Sequence, residues 1–255
     1  MAGKKKKQVA GDTLQKRSQL GEIWHRLKKN KLAMVSLGFI VILVLAVSFA
    51  DFIAPYPYDQ IDLANALQKP SLKHLMGTDD FGRDLFSRIL YGGRISLLVA
   101  FCTVMISIVV SAILGAAAGY FGGWFDSVVM RVVDVFMAIP GMLLAISIAA
   151  ALGSGIVNTA LAITISNIPG LLLLRDQEYI QAATAFGGSN GHIIRRHIIP
   201  NTLAPLIVQA SLKFGDAILS IAGMSFIGLG IEPPTPEWGS ILSNGRELIR
   251  SFWPI

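Results

Sequence analysis

The sequence has a single cysteine, Cys102, set inside an apolar run, so neither a disulfide framework nor a cysteine metal site is available to it. Charge is also scarce. Asp, Glu, Lys and Arg make up 15% of 255 residues and 53% are hydrophobic, whereas soluble domains carry roughly 25% charge. No Gly-x4-Gly-Lys-Ser/Thr loop is present to cradle phosphates, and no His-Glu-x2-His helix to hold zinc. Histidine is limited to four residues, none of them in a long apolar stretch. His192 and His197 are five apart around Arg195 and Arg196, a cationic setting that suits no metal. These absences exclude a self-contained ATPase, a zinc hydrolase and a disulfide-stapled secreted domain.

What the chain does have is length without charge. A hydrocarbon core ~30 Å thick takes about 20 apolar residues in a helix, and five stretches qualify: about 32–53, 95–119, 127–152, 156–174 and 202–229. The expected fold class is therefore all-α, a polytopic transmembrane helical bundle. Pro140 lies inside the third stretch and Pro169 inside the fourth, where a membrane helix tolerates the missing N–H if neighbours satisfy the freed carbonyl. Gly153-Ser154-Gly155 between them is suited to a tight antiparallel turn. Gly115, Gly119, Gly122 and Gly123, with Ala116 to Ala118, supply small residues for close helix approach.

The net charge of +6 is unevenly placed. Residues 1–31 hold ten Lys or Arg against Asp12 and Glu22, a tail of +8, which leaves the rest of the chain at −2. A basic tail abutting an apolar run marks the cytoplasmic side rather than nucleic-acid binding. The run that follows is too long for a signal-peptide core of ~7–15 residues, so it reads as an uncleaved first span. The domain organisation expected is a basic tail at 1–31 and a transmembrane domain at 32–255. Alternation from a cytoplasmic tail puts 54–94 and 231–255 outside and 175–201 inside. An odd span count leaves the C-terminus outside, which points to a sixth span beyond Ile255.

Three polar segments are candidates for function. In the inner segment 175–201, Asp176 can cap a helix that closes at Gly187-Gly188, and a second helix runs from Ser189 or Asn190 to Ile199, before Pro200 opens the next span. Ala182, Ala183 and Ala185 give the first helix a small-residue face for close docking on another protein. In the outer segment, Asp79 or Asp80 can cap a short interfacial helix with Phe81, Leu85, Phe86, Ile89 and Leu90 on its apolar face and Arg83, Asp84 and Arg88 opposite, read first as a structural collar packed on the spans, with contact to another protein as the alternative. The third segment, 232–254, is proline-rich, with Trp238 and Trp253 suited to a membrane interface. Within the spans, Arg131 and Asp134 are three apart, as are Lys213 and Asp216, so each pair shares a helix face. The expectation for the first is a structural ion pair; the second is a candidate for lining a wet translocation path, with a structural pair as the other reading.

The string Gln181-Ala182-Ala183-x3-Gly187-x12-Pro200 resembles the signature of the permease subunits of ATP-binding-cassette importers. Three further stretches resemble that family's oligopeptide, dipeptide and nickel branch. They are Arg26 to Met34, Gly77-Thr78-Asp79-Asp80-x-Gly82-Arg83-Asp84-x2-Ser87-Arg88, and Ser225 to Gly239 with Pro233, Pro234, Pro236 and Trp238. The resemblance implies a type I importer fold of six spans, five of them visible here, in the cytoplasmic membrane of a bacterium or archaeon with the N-terminus inside. It implies no catalytic residue, metal or cofactor on this chain, ATP and magnesium belonging to partner subunits. The implied partners are a second homologous permease, two ATPase subunits, an extracytoplasmic substrate-binding protein and membrane lipid, with no nucleic acid.

Carried onto this sequence, the ATPase-coupling residues are Glu178, Gln181, Ala182, Ala183, Gly187 and Pro200. The candidate pathway residues are Lys213 and Asp216, and the candidate binding-protein contacts are Asp80, Arg83 and Trp238. Gln181 stands where the family has glutamate, His197 where it has isoleucine and Ile199 where it has leucine. The stretch from Pro169 to Asp176 is also about ten residues shorter. Coupling is thus expected to rest on helix shape and the Ala182, Ala183 and Gly187 surface rather than on a charged contact. The implied cargo is a di- or oligopeptide, with nickel or another small solute as the alternative. An integral membrane enzyme is disfavoured, since no nucleophile, acid and metal-ligand cluster gathers at one membrane depth.

Overall fold

The computed structural model describes residues 24–25, 27–172 and 199–246. Among these the chain is helical and no strand is present. Helix α1 spans Lys31–Ser48, α2 Ala50–Ile53, α3 Leu85–Phe121, α4 Gly123–Met137, α5 Gly141–Leu152, α6 Ile156–Leu172, α7 Ile199–Phe226 and α8 Trp238–Arg246.

The chain divides into residues 1–46 and 47–255. The first unit holds most of α1, whose Leu32, Val35 and Phe39 are exposed, as lipid-facing side chains of a span would be. In the second unit α3 lies along α6 and α7, α5 pairs with α6, and α8 rests on α7 and α3. The core runs through this contact: Val99, Ala100 and Val104 of α3, Ala145 and Ala149 of α5, Ala162 and Ile163 of α6, and Ala217, Ile221 and Met224 of α7. Small residues dominate because helices in lipid gain little from apolar burial and associate by close packing and interhelical hydrogen bonds.

Helices α1, α3 (over Leu85–Gly115) and α7 (over Ile207–Phe226) are long and apolar enough to cross a membrane, and α6 is a shorter apolar helix of 17 residues. The stretch expected as a kinked span at 127–152 holds two helices, α4 and α5, bent by 93° at a short break and together apolar enough to cross as one broken span. Pro140 is the residue before α5 and breaks the chain rather than bending it. Gly122 and Gly123, expected as a packing surface, form the α3–α4 turn at φ +56° and +50°, with open space where a Cβ would stand.

The second span starts earlier than its hydropathy implies. No separate interfacial helix is capped by Asp79 or Asp80; Asp84 caps α3, accepting a hydrogen bond from the Ser87 N–H at 2.8 Å, and the helix runs unbroken for 37 residues. At Pro169 of α6, the missing N–H is flanked by two bonds from α3. Ser107 Oγ donates to Thr164 O and Ser111 Oγ to Ile168 O, both at 3.2 Å. The offset of 57 residues is the same in both, so the two hydroxyls fix one register of α3 on α6.

Candidate functional site

The inner polar segment is bracketed by the ends of α6 at Leu172 and α7 at Ile199. Glu178, Gln181, Ala182, Ala183 and Gly187 lie outside the described residues. Pro200 lies in α7. The helix expected from Ser189 or Asn190 to Ile199 lies, but for Ile199, outside the described residues; Ile199 is helical.

Lys213 and Asp216 come together as expected, Nζ to Oδ2 at 3.8 Å, on a face of α7 where Asp216 is 64% exposed. A charged pair on the outer face of a membrane helix is costly against lipid, so this face belongs against protein or water. Arg131 and Asp134 are both exposed on α4, and no ion pair joins them.

In the outer segment the charges predicted to face outward are mostly buried. Asp79 accepts hydrogen bonds from Phe81 N at 3.0 Å, Arg83 N at 2.8 Å and Arg83 Nε at 2.7 Å. Arg88 Nε stands 3.6 Å from the same carboxylate, and Arg88 Nη1 donates to Tyr58 O at 3.2 Å. Arg83 and Arg88 are thus buried braces of the loop, and among the three predicted contact residues Asp80 keeps an exposed carboxylate. Asp84 holds the top of α3 through Ser87 N and Oγ and also meets His74 Nδ1 at 2.9 Å. Tyr56 stacks on the His74 ring at 4.9 Å and donates its N–H to Ser87 Oγ at 3.2 Å. At Gly82 the backbone takes φ +74° with Asp62 O pressed against it, a position that admits no side chain.

Trp238 is half-buried and donates from Nε1 to Ile89 O at 3.0 Å. It opens α8, which sits against α3 and α7. A Cβ on Gly93 would reach the Trp238 ring at 2.7 Å, and one on Gly239 would reach Ala222 Cα at 2.4 Å. The residue that sequence reasoning passed over is Glu237, fully buried beside it. Its Oε1 accepts from Gly239 N at 2.9 Å and Ser96 Oγ at 3.1 Å, and its Oε2 accepts from Ser240 N at 2.9 Å. One carboxylate therefore caps α8, where the helix dipole favours it, and ties it to α3. The sequence signal was an acid directly before Trp238-Gly239-Ser240, an N-cap position. The same end of the bundle is tied further: Gly155 N donates to Gly230 O at 2.9 Å, and Ser154 Oγ to Glu232.

The described residues thus form a brace of buried charge over the start of α3, a capped helix seated between α3 and α7, and an exposed ion pair on α7, with no group of three metal-ligating side chains among them. Two family models match the chain. Residues 18–70 match the N-terminal TM domain of oligopeptide transport permease C, and residues 111–252 match the binding-protein-dependent transport system inner membrane component. This chain belongs to the binding-protein-dependent transport permeases.

Relatives of this permease carry the match over nearly its whole length. The dipeptide transport system permease protein of Alkalihalophilus pseudofirmus is 46% identical, over 90% of this chain and 78% of its own. The glutathione transport system permease proteins of Shigella flexneri serotype 5b and Escherichia coli O157:H7 are 44% and 42% identical, each over 91% of this chain and 80% of their own. The buried brace at 79–88 and the Glu237 cap are accordingly parts of a permease, placed on segments that join its membrane helices.

Proposed function

We propose that this permease carries di- or oligopeptides into the cell as one subunit of an ATP-binding-cassette importer. The observation that carries the reading is the 46% identity to a dipeptide permease across 90% of the chain. Glutathione, the cargo named for two further relatives, is itself a tripeptide. With the basic tail on the cytoplasmic side, 173–198 faces inward and the 54–84 loop and α8 face outward. ATP and magnesium are bound by two ATPase subunits that dock on 175–200 through Gln181, Ala182, Ala183 and Gly187, flanked by Glu178 and Pro200. A second permease completes the membrane channel, and an extracytoplasmic binding protein delivers the peptide. Lys213 and Asp216 line the wet path between the permeases, which accounts for an ion pair on an exposed face of α7.

Proteoliposomes containing both permeases, both ATPases and the binding protein test this. Labelled dipeptide is expected to accumulate only with ATP inside the compartment that holds the ATPases. Uptake of nickel with no uptake of di-, tri- or oligopeptide overturns the cargo. Ala182→Arg with Ala183→Arg is expected to abolish copurification of the ATPases while the permease pair remains assembled. Retained copurification removes the coupling role of that segment.

A further inference from the structure

Three lysines without an acidic partner stand at the start of the first membrane helix. From residue 24 to 31 the sequence reads Trp-His-Arg-Leu-Lys-Lys-Asn-Lys, and no Asp or Glu occurs from Ile23 to Ala50. Lys28, Lys29 and Lys31 are exposed, and none forms an ion pair among the described residues. Asn30 separates a turn of helix from α1. Its N–H donates to Leu27 O at 3.0 Å and closes the turn, while its carbonyl accepts from Met34 N at 3.1 Å and its Oδ1 from Ala33 N at 3.2 Å, which caps α1. In the turn ahead of it, Lys28 Nζ lies 5.2 Å from the centre of the Trp24 ring, a cation–π contact. Trp24 is half-exposed, and its ring suits the headgroup level of a bilayer.

The length of α1 fixes the depth of these charges. Its 18 residues make a helix about 27 Å long, against a hydrocarbon core of ~30 Å. No charge stands between Lys31 and Asp51. The helix therefore fills the core with no length to spare. Lys31 stands in the headgroup layer, and Lys28 and Lys29 are within about one turn, ~5 Å, of it. On the same face of α1, at steps of four residues, follow Val35 and Phe39, which are 70% and 66% exposed. Positive charge thus sits directly above an open apolar strip.

We infer that Trp24, Lys28, Lys29 and Lys31 bind the headgroup of an anionic phospholipid, phosphatidylglycerol or one of like charge, whose acyl chains lie along Val35 and Phe39. Charge and depth select this occupant. The lysines have no carboxylate of their own segment to neutralise them, and the phosphate layer is where the length of α1 puts them. A zwitterionic headgroup brings its own ammonium into that layer and offsets most of the attraction, so a net negative headgroup is preferred. Each lysine near an anionic surface strengthens binding about fivefold. The contact with Trp24 orders Lys28 beforehand, which lowers the cost of holding it on a phosphate. The inference is independent of the cargo.

The test uses the full-length permease with Cys102→Ser and Ser36→Cys, which leaves one cysteine, next to Val35, for a fluorescent label. Quenching by brominated-chain phosphatidylglycerol is compared with quenching by brominated-chain phosphatidylcholine in bilayers. The local binding constant is expected to favour phosphatidylglycerol about fivefold or more at low salt, and less as salt is raised. Lys28→Gln with Lys29→Gln and Lys31→Gln is expected to bring the ratio to about one, and the same three changes to Arg to retain it. Gln at Lys4 to Lys7 is expected to leave the ratio near that of the parent. Equal quenching by the two lipids in the parent overturns the inference, as does a ratio unchanged in the Gln triple variant. A ratio lost through Lys4 to Lys7 but kept in the triple variant also overturns it, moving the headgroup to the tail. With the partner subunits assembled, quenching by neither lipid assigns the lysines to a protein contact and overturns it too. Should the triple variant fail to insert, Lys28→Gln with Lys29→Gln and the salt series on the parent decide in the same way.

Discussion

Replacing Glu237 by alanine removes the acceptor from three donors at once: Gly239 N, Ser240 N and Ser96 Oγ, at 2.9, 2.9 and 3.1 Å. Each of these lies in a site with no exposed surface at Glu237 itself. A buried donor left without a partner costs about 1–3 kcal/mol, and the lower figure applies where water can follow the truncated side chain. Three donors at about 1 kcal/mol each give about 3 kcal/mol, lost from the local free energy that keeps α8 seated. At 1.4 kcal/mol per tenfold, the α8 opening constant rises on the order of 100-fold. Hydrogen exchange of the amides from Ile241 onward reads this opening directly, since Ile241 N is bonded to Glu237 O at 2.9 Å in the closed state. The importer in nanodiscs is expected to exchange those amides on the order of 100-fold faster in Glu237→Ala, and roughly tenfold faster in Glu237→Gln, which keeps one acceptor oxygen. Exchange that is unchanged in Glu237→Ala refutes the claim that this carboxylate holds α8 down.

Three further outcomes follow from the same geometry. Asp84→Ala removes the cap of α3 and the partner of His74, and is expected to cost about 2–3 kcal/mol, read as a lower unfolding temperature in detergent. Ser107→Ala and Ser111→Ala are each expected to cost about 0.5–1 kcal/mol, because the bonds to α6 are interhelical ones in lipid; a double variant with no loss of thermal stability rules out the register lock. Asp216→Ala is expected to change folded yield little, since an exposed pair at 3.8 Å contributes under about 0.5 kcal/mol, while peptide uptake falls. Uptake equal to that of the unaltered importer removes Asp216 from the pathway.

The helices were legible in the sequence to the extent that hydropathy is a local property. The stretch at 156–174 appears as α6 at Ile156–Leu172, and the one at 202–229 as α7 at Ile199–Phe226, each within a few residues. The second stretch was misjudged at its start because Arg88, Gly92, Gly93 and Arg94 lower its hydropathy, although those residues sit in the same helix. Arg88 enters it because Asp79 and Tyr58 O meet the guanidinium, and both partners come from a loop that folds back. The break at Pro140 was visible as a proline, but proline alone does not separate a kink from a 93° turn.

Composition, apolar run length and four short motifs determined that this chain is a membrane permease of the binding-protein-dependent family, because each of those signals is additive along the chain. Tertiary structure alone decided which polar residues stay exposed. Arg83, which reads as an outward charge, is consumed by Asp79, and Glu237 finds Ser96 across 141 residues. Leu72, one leucine among many in the sequence, is fully exposed, whereas His74 two residues on is buried against Asp84. Such pairings depend on where folded helices bring distant residues, and hydropathy or spacing within one segment carries no record of them.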